Sequence, residues 1–371
     1  MSDAKTCLGG RQLQNVKRKL AAIICVFALL PAVPAMAQNC QPQDDISLNT
    51  QLEINSFQND HGPCDTIVGI LNINRSSEVD NIVNLDGLSG LTRIGTGSLT
   101  LATLRIEENS ILTSISGLSN LVFAEQIILI DNDSLTDLTG LGGFPSDGFA
   151  LRSLELRDMD GLANLTGLPS TLLAMGTLTV ELSDNLTSLS GVPAMAVIGG
   201  IRIAQNNRLA SLASLSVIGQ LGGEFMGQPA DPGTLEIIGN IMLTDLTGLP
   251  PTTVLNLLEI SANGPQQALS KMSSLTAATG WNLDSLSTLA GVSGNVTITN
   301  NPLLSECSGL IQLLDDVDDG EPGPGPGLDG IPDVSGSILI QNNGAGCNSI
   351  EEILNSSNND DDVFEDSFEE G

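Results

Sequence analysis

Tyrosine is absent, and the 371 residues include one tryptophan, one histidine and eight phenylalanines. So few rings leave almost no platforms on which bases or sugars could stack. Lysine and arginine are also scarce, 13 against 44 Asp and Glu, for a formal net charge of −31. This balance cannot neutralise phosphates, which argues against nucleic acid and anionic membrane surfaces as partners. The charged fraction is only 15%, so the acidity comes from missing cations rather than abundant carboxylates, and the chain is no disordered polyelectrolyte. Long hydrophobic runs are missing as well. The apolar run near the N-terminus is too short to span a bilayer, and nothing later approaches the roughly 18 consecutive apolar residues of a membrane span. What the chain does have is aliphatic mass: 41% hydrophobic residues, mostly Leu, Ile, Val and Ala, suffice for a sizeable core.

Residues 1–37 read as a secretory signal peptide. Lys17, Arg18 and Lys19 precede an apolar run from Leu20 to Leu30 that ends at Ala35-Met36-Ala37. Cleavage is expected after Ala37. Cys40 is preceded by Gln38 and Asn39 rather than by small residues, so no lipid anchor is expected. Removing this segment takes away five basic residues and one acidic residue, leaving a formal charge near −35 on the remaining 334. Cys40, Cys64, Cys307 and Cys347 stay behind, an even number suited to an oxidising compartment.

An internal repeat sets the architecture. The template L-x-I-x-x-N-x-x-L-x-x-L-x-G-L runs through Leu104, Ile106, Asn109, Leu112, Ile115, Gly117 and Leu118, and again through Leu235, Ile237, Asn240, Leu243, Leu246, Gly248 and Leu249. Further copies, some partial, begin at Leu71, Ile127, Leu154, Leu178, Ile201, Leu258, Val296 and Ile338. The first part of each copy alternates apolar and polar residues, which predicts a short half-buried strand. In the second part apolar residues recur every third position, which predicts a 3₁₀-like or extended return. One such coil cannot bury its own apolar face, so stability must come from stacked neighbours. The expected fold is all-β, a right-handed parallel β-solenoid of about ten coils. Its predicted limits are an N-terminal cap at 38–66, the solenoid at 67–354 and an acidic disordered tail at 355–371.

The Asn slot reads Ser76, Asn109, Asn132, Met159, Ser183, Asn206, Asn240, Asn263, Asn301 and Asn343. An amide there can pair the backbone groups that the turn leaves open, so a buried structural ladder is expected, with an irregularity at Met159. The position between the two inward strand residues reads Asn72, Arg105, Ile128, Glu155, Thr179, Arg202, Glu236, Glu259, Thr297 and Leu339. Within it Glu155, Arg202, Glu236 and Glu259 form the candidate partner face, with Glu236 and Glu259 expected as direct neighbours.

Insertions at 222–233, 264–281 and 315–333 lengthen particular coils, and added loops usually carry a solenoid's variation. The last holds Asp315, Asp316, Asp318 and Asp319. Its spacing departs from a D-x-D-x-D-G calcium loop because Val317 stands where the second Asp should, so an acidic linker is preferred and a weak calcium site is the alternative. No other cofactor is implied. His61, between Asn59-Asp60 and Gly62-Pro63, reads as a turn or cap residue, and no sequence feature supports a triad around it. The tail Asp362-Val363-Phe364-Glu365-Asp366-Ser367-Phe368-Glu369 resembles short acidic endings with paired Phe in other secreted gammaproteobacterial proteins.

The repeated template, with the closing stretch Ser337-Ile338-Leu339-Ile340-Gln341-Asn342-Asn343-Gly344-Ala345-Gly346-Cys347-Asn348-Ser349, resembles bacterial secreted relatives of the receptor L-domain, a leucine-rich-repeat-like β-solenoid. The resemblance covers roughly residues 67 to 354 and implies extracellular recognition without catalysis. Four cysteines allow three connectivities. Their positions at the two ends favour Cys40 with Cys64 and Cys307 with Cys347 as cap disulfides, and with no C-x-x-C and one His a zinc site is the poorer reading. The expected function is a secreted or cell-surface recognition or adhesion scaffold of a Gram-negative bacterium. Its expected partner is an extracellular protein, preferred over a glycan because aromatic platforms are missing. The alternative is a carbohydrate-active parallel β-helix enzyme, a polysaccharide lyase or hydrolase, although Lys271 is the only Lys after residue 37 and seven Arg remain.

Overall fold

The computed structural model describes residues 38–41, 45–75, 82–96, 102–143, 150–225, 228–231, 233–265, 281–314 and 334–358. Apart from Gln38, the described residues belong to one compact unit that begins at Asn39. Residues 1–37, read above as a signal peptide, Asp315, Asp316, Asp318 and Asp319 of the expected calcium alternative, and residues 359–371 lie outside the described residues.

Eleven strands follow one another across one sheet in chain order. They are β1 (Ile46–Leu48), β2 (Leu71–Asn74), β3 (Thr103–Glu107), β4 (Gln126–Ile130), β5 (Ala150–Arg157), β6 (Ala174–Glu181), β7 (Val197–Ala204), β8 (Gly233–Ile238), β9 (Val254–Ser261), β10 (Val296–Thr299) and β11 (Ile338–Gln341). All neighbouring pairs are parallel, and a twelfth short strand, Gly291–Val292, also pairs with β9. The alternation in each repeat explains the strands, because from β1 to β10 the residues flanking the outward position are inward and dry, and on the last strand Ile338 is half-buried. Leu104, Ile106, Leu235, Ile237, Leu258 and Ile260 are all 0% exposed. Register keeps like on like: Leu104 pairs with Ile127 and Ile106 with Leu129, so each aliphatic packs on its counterpart 23 residues later. Three further short strands, Thr66–Ile67, Arg93–Ile94 and Phe123–Ala124, form a second parallel sheet.

The three-residue spacing in the second half of the repeats becomes 3₁₀ helix at Asp86–Leu88, Ser116–Leu118, Thr139–Leu141, Asp284–Leu286 and Ser308–Leu310. The template glycine is there for close approach. A Cβ on Gly117 would lie 1.9 Å from the Leu85 carbonyl oxygen, and one on Gly140 would lie 1.9 Å from that of Ile115. Where proline follows, the helix is absent. In Gly167-Leu168-Pro169, Gly191-Val192-Pro193 and Gly248-Leu249-Pro250 the glycine instead takes φ values of 104°, 107° and 96°. Proline disfavours the helical region for the residue before it and has no N–H to donate back three residues, so the chain turns at glycine.

The ends differ from the sequence boundaries. The sheet begins at Ile46, inside the segment read as cap, and helix α1 (Gln51–Asp60) follows at once. Thr50 and Glu53 form a capping box, and Ile54 and Phe57 are buried. Helix α2 (Ile311–Leu314) precedes the last insertion, and helix α3 (Ile350–Asn358) buries Ile353. The tail therefore cannot start at 355, because residues 355–358 are still helical. The insertion at 222–233 is an antiparallel ribbon of Gly223–Phe225 with Gln228–Asp231, and that at 264–281 ends in Trp281, which is 0% exposed. Disulfides join Cys40 to Cys64 and Cys307 to Cys347, with Cα atoms 5.0 and 5.7 Å apart.

Candidate functional site

Two columns run across the strands, and only one of them is accessible. The first is asparagine. Each strand from β3 to β11 is followed by a residue with positive φ, at Glu108, Asp131, Asp158, Leu182, Gln205, Gly239, Ala262, Asn300 and Asn342, and the next residue occupies the Asn slot. That left-handed residue keeps pairing with the following strand. Glu108 N–H donates to Ile130 O, Asp158 to Glu181 O, Leu182 to Ala204 O and Asn300 to Gln341 O. In the slot, the backbone N–H of Asn206 donates to Oδ1 of Asn240, Asn240 to Asn263, Asn263 to Asn301 and Asn301 to Asn343, each at 3.1 Å. Asn109 donates likewise to Asn132 at 3.3 Å. Each amide nitrogen reaches back to a strand carbonyl of the preceding repeat: Asn132 to Ile106, Asn206 to Val180, Asn240 to Ile203, Asn263 to Ile237, Asn301 to Ile260 and Asn343 to Ile298. From Asn206 to Asn301 these side chains are buried and bonded at both ends, Asn343 is half-buried, and Asn109 Oδ1 alone in the ladder is buried without a partner among the described residues, so the column is a structural spine rather than an accessible site.

The irregularity expected at Met159 does not occur in the backbone. Register through β4, β5 and β6 carries no shift. Met159 fills the slot at 0% exposure, its sulfur 3.9 Å from Asn132 Nδ2, while its N–H donates to Ser183 Oγ at 3.2 Å. Methionine adapts its shape to the slot and offers it only the weak acceptor of its sulfur.

The second column is the outward one. Register places Glu155 beside Thr179, Thr179 beside Arg202, Arg202 beside Glu236 and Glu236 beside Glu259. The adjacent outward column adds Arg157 and Glu181, which are themselves register partners. Together they make a chain of charges across β5 to β8. Arg157 Nη2 lies 2.7 Å from Glu155, and its Nε lies 3.2 Å from Glu181 at an angle that makes no hydrogen bond. Arg202 then bonds Glu181 through Nε and Glu236 through Nη1. Side-chain exposure is 38% for Arg202 but 12% for Glu181 and 19% for Glu236, so the carboxylates are drawn down and the guanidinium is presented. Burial lowers the Arg202 pKa, and the hydrogen bonds and charges of Glu181 and Glu236 outweigh that and raise it. For Arg105 the bond to Glu107, 2.6 Å away, is the largest influence and raises its pKa. Glu259 has no arginine beside it. It accepts from the Ser261 hydroxyl at 2.9 Å.

A third grouping was not anticipated from sequence. Asp133, Asp158 and Asp160 bring their carboxylate oxygens within 4.8 Å of one another where β4 and β5 turn inward. Partial burial, followed by the charges of the neighbouring aspartates, raises the pKa of Asp133 and of Asp158. The signal was present as Asp-x-Asp around the Asn slot in consecutive repeats, Asp131-Asn132-Asp133 and Asp158-Met159-Asp160. His61 caps α1: its N–H donates to Phe57 O, and its Nδ1 lies 2.7 Å from the Gln41 carbonyl. Comparison of the chain with family models, with curated proteins and with solved structures finds no match.

Proposed function

We propose that the chain is a secreted, non-catalytic recognition or adhesion scaffold that presents the outward face of its sheet to an extracellular protein. In this reading the repeats close into a right-handed β-solenoid of about ten coils, and residues 1–37 direct export. Two disulfides at the ends and the lack of any membrane-spanning helix among the described residues fit that setting. The observation that carries the reading is the charged strip of Glu155, Arg157, Glu181, Arg202 and Glu236, with Glu259 beside it. Its side chains are fixed by strand register and mutual bonds, so a partner meets a preorganised surface and spends little entropy ordering it. Arg202 is the anchor, a planar donor already desolvated on one side. The scarcity of aromatics favours protein over glycan as ligand.

The test is capture from the native extracellular fluid by the immobilised chain. Affinity should fall about tenfold, equivalent to about 1.4 kcal/mol, in Arg202→Ala and in Glu236→Gln, and binding should weaken as salt rises. Capture indifferent to both substitutions, or release of unsaturated or reducing ends from acidic polysaccharides, would overturn the proposal.

A further inference from the structure

Strand β11 ends the main sheet, and among the described residues its one strand neighbour is β10. The core at this end is closed by other means. Asn343 N–H donates to Asn348 Oδ1 at 2.8 Å, the Cys307–Cys347 disulfide ties the last turn down, and Ile353 of α3 is buried. Among the described residues the outer edge of the strand itself pairs with nothing. Val296 N–H donates to Ser337 O, and Asn300 N–H donates to Gln341 O. Alternation along the strand then points the N–H and C=O groups of Ile338 and Ile340 away from β10.

Natural edges are guarded by charge, proline or a bulge. This one has none of them: it reads Ile338-Leu339-Ile340-Gln341, its register with β10 is unshifted, and Leu339 is 46% exposed. The first strand of the sheet differs, reading Ile46-Ser47-Leu48 directly after Asp45, so its outward residue is Ser rather than Leu.

We infer that β11 is a self-association edge, at which two copies pair their β11 strands antiparallel about a two-fold axis at Leu339. The register is self-complementary. Ile338 of one copy faces Ile340 of the second copy, and the two pairs so formed exchange four backbone hydrogen bonds. Leu339 meets Leu339 of the second copy in the closer, non-hydrogen-bonded pair, where Cβ atoms stand about 4.5–5.5 Å apart. The distribution of charge singles out a second copy as occupant. The chain carries −31 overall, yet no Asp, Glu, Lys, Arg or His occurs from Val334 to Ile350 or from Ser285 to Ser305, the stretches that contain β11 and β10. Two strongly acidic copies can therefore meet there without opposing carboxylates on these strands. The product is one continuous sheet with a charged strip on each side of the axis.

Light scattering after size exclusion of the full chain over a dilution series tests this directly. The mass should shift from dimer to monomer on dilution. Leu339→Lys, which sets like charges across the axis but keeps every bond to β10, should be monomeric throughout with an unchanged circular dichroism spectrum. Leu339→Cys should form a spontaneous disulfide-linked dimer on a non-reducing gel. Thr297→Cys, displaced one strand (about 4.8 Å) from the edge in each copy, should not. A monomer at every concentration with no cross-link in Leu339→Cys sinks the inference. So does a dimer that survives Leu339→Lys, or one lost only when residues 359–371 are deleted.

Discussion

Asparagine in the inward slot does work that no other side chain of its size can do. Its Oδ1 accepts the next N–H down the column while its Nδ2 donates to a strand carbonyl, so one residue pairs two backbone groups that the turn leaves open. The left-handed residue before it supplies the geometry at a cost of roughly 1–2 kcal/mol for a non-glycine side chain. That cost is met because the turned N–H still pairs with the following strand. Asn240 is 0% exposed and also contacts Ile238 O and Asn263 Oδ1. Asn240→Ala should therefore lower unfolding free energy by about 1–3 kcal/mol through groups left unpaired. Urea denaturation measures it, and a loss of only a few tenths would show that water reaches the slot.

At the level of elements, the return segments pack backbone against backbone from one repeat to the next, beside the side-chain hydrogen bonds that also join them. The Gly140 Cα sits so close to Ile115 that an added methyl group would occupy the space of its carbonyl oxygen, 1.9 Å away. Two repeats would have to move apart to admit it. Gly140→Ala should cost at least about 3 kcal/mol, the upper end for overpacking, although alanine is the better helix former. An exposed site in the same 3₁₀ helix gives the control: Thr139→Ala should change stability by under about 1 kcal/mol. Thermal melts that rank these two the other way would refute the close-approach explanation. The proline rule operates at this scale too. It decides whether each return begins with a 3₁₀ helix or with a glycine at positive φ, and both forms deliver the following strand in register.

Over the whole molecule the excess of carboxylates is uneven in its effects. On the outward strip arginines neutralise it locally, whereas at the turn after β4 and β5 aspartates face one another. The pKa of Asp158 is raised by desolvation and then by Asp160, Asp131 and Asp184. A carboxyl with a raised folded-state pKa favours the native state below its unfolded value, near 3.9. That contribution is lost as pH climbs through the folded value. At neutral pH the group is therefore destabilising. Asp158→Asn, which also suits a left-handed backbone, should raise the melting temperature at pH 7 by an amount equivalent to under about 0.5 kcal/mol. The difference should vanish below about pH 4. An advantage that persists unchanged into acid would assign the effect to the backbone instead of to charge.

Sequence alone determined the features whose physical cause lies within one repeat. Alternation of Leu104, Arg105 and Ile106 makes a strand with one dry face, spacing by threes makes a 3₁₀ return, and Leu-Pro or Val-Pro after glycine forbids it. The recurrence of asparagine was legible for the same reason. The cap helix was half legible: Thr50-x-x-Glu53 is a start signal, but only Ile54 and Phe57 turn inward, too few to register as a period. What tertiary structure alone decided depends on which repeats stack on which. Arg202 bonds Glu236 across 34 residues and Glu181 across 21, and an insertion of different length would leave the same partners adjacent, because strand register and not chain distance sets the pairing. The meeting of Asp133 with Asp158 and Asp160, and the open edge at Ile338–Gln341, arise in the same way. Both are properties of stacking order, which no single repeat encodes.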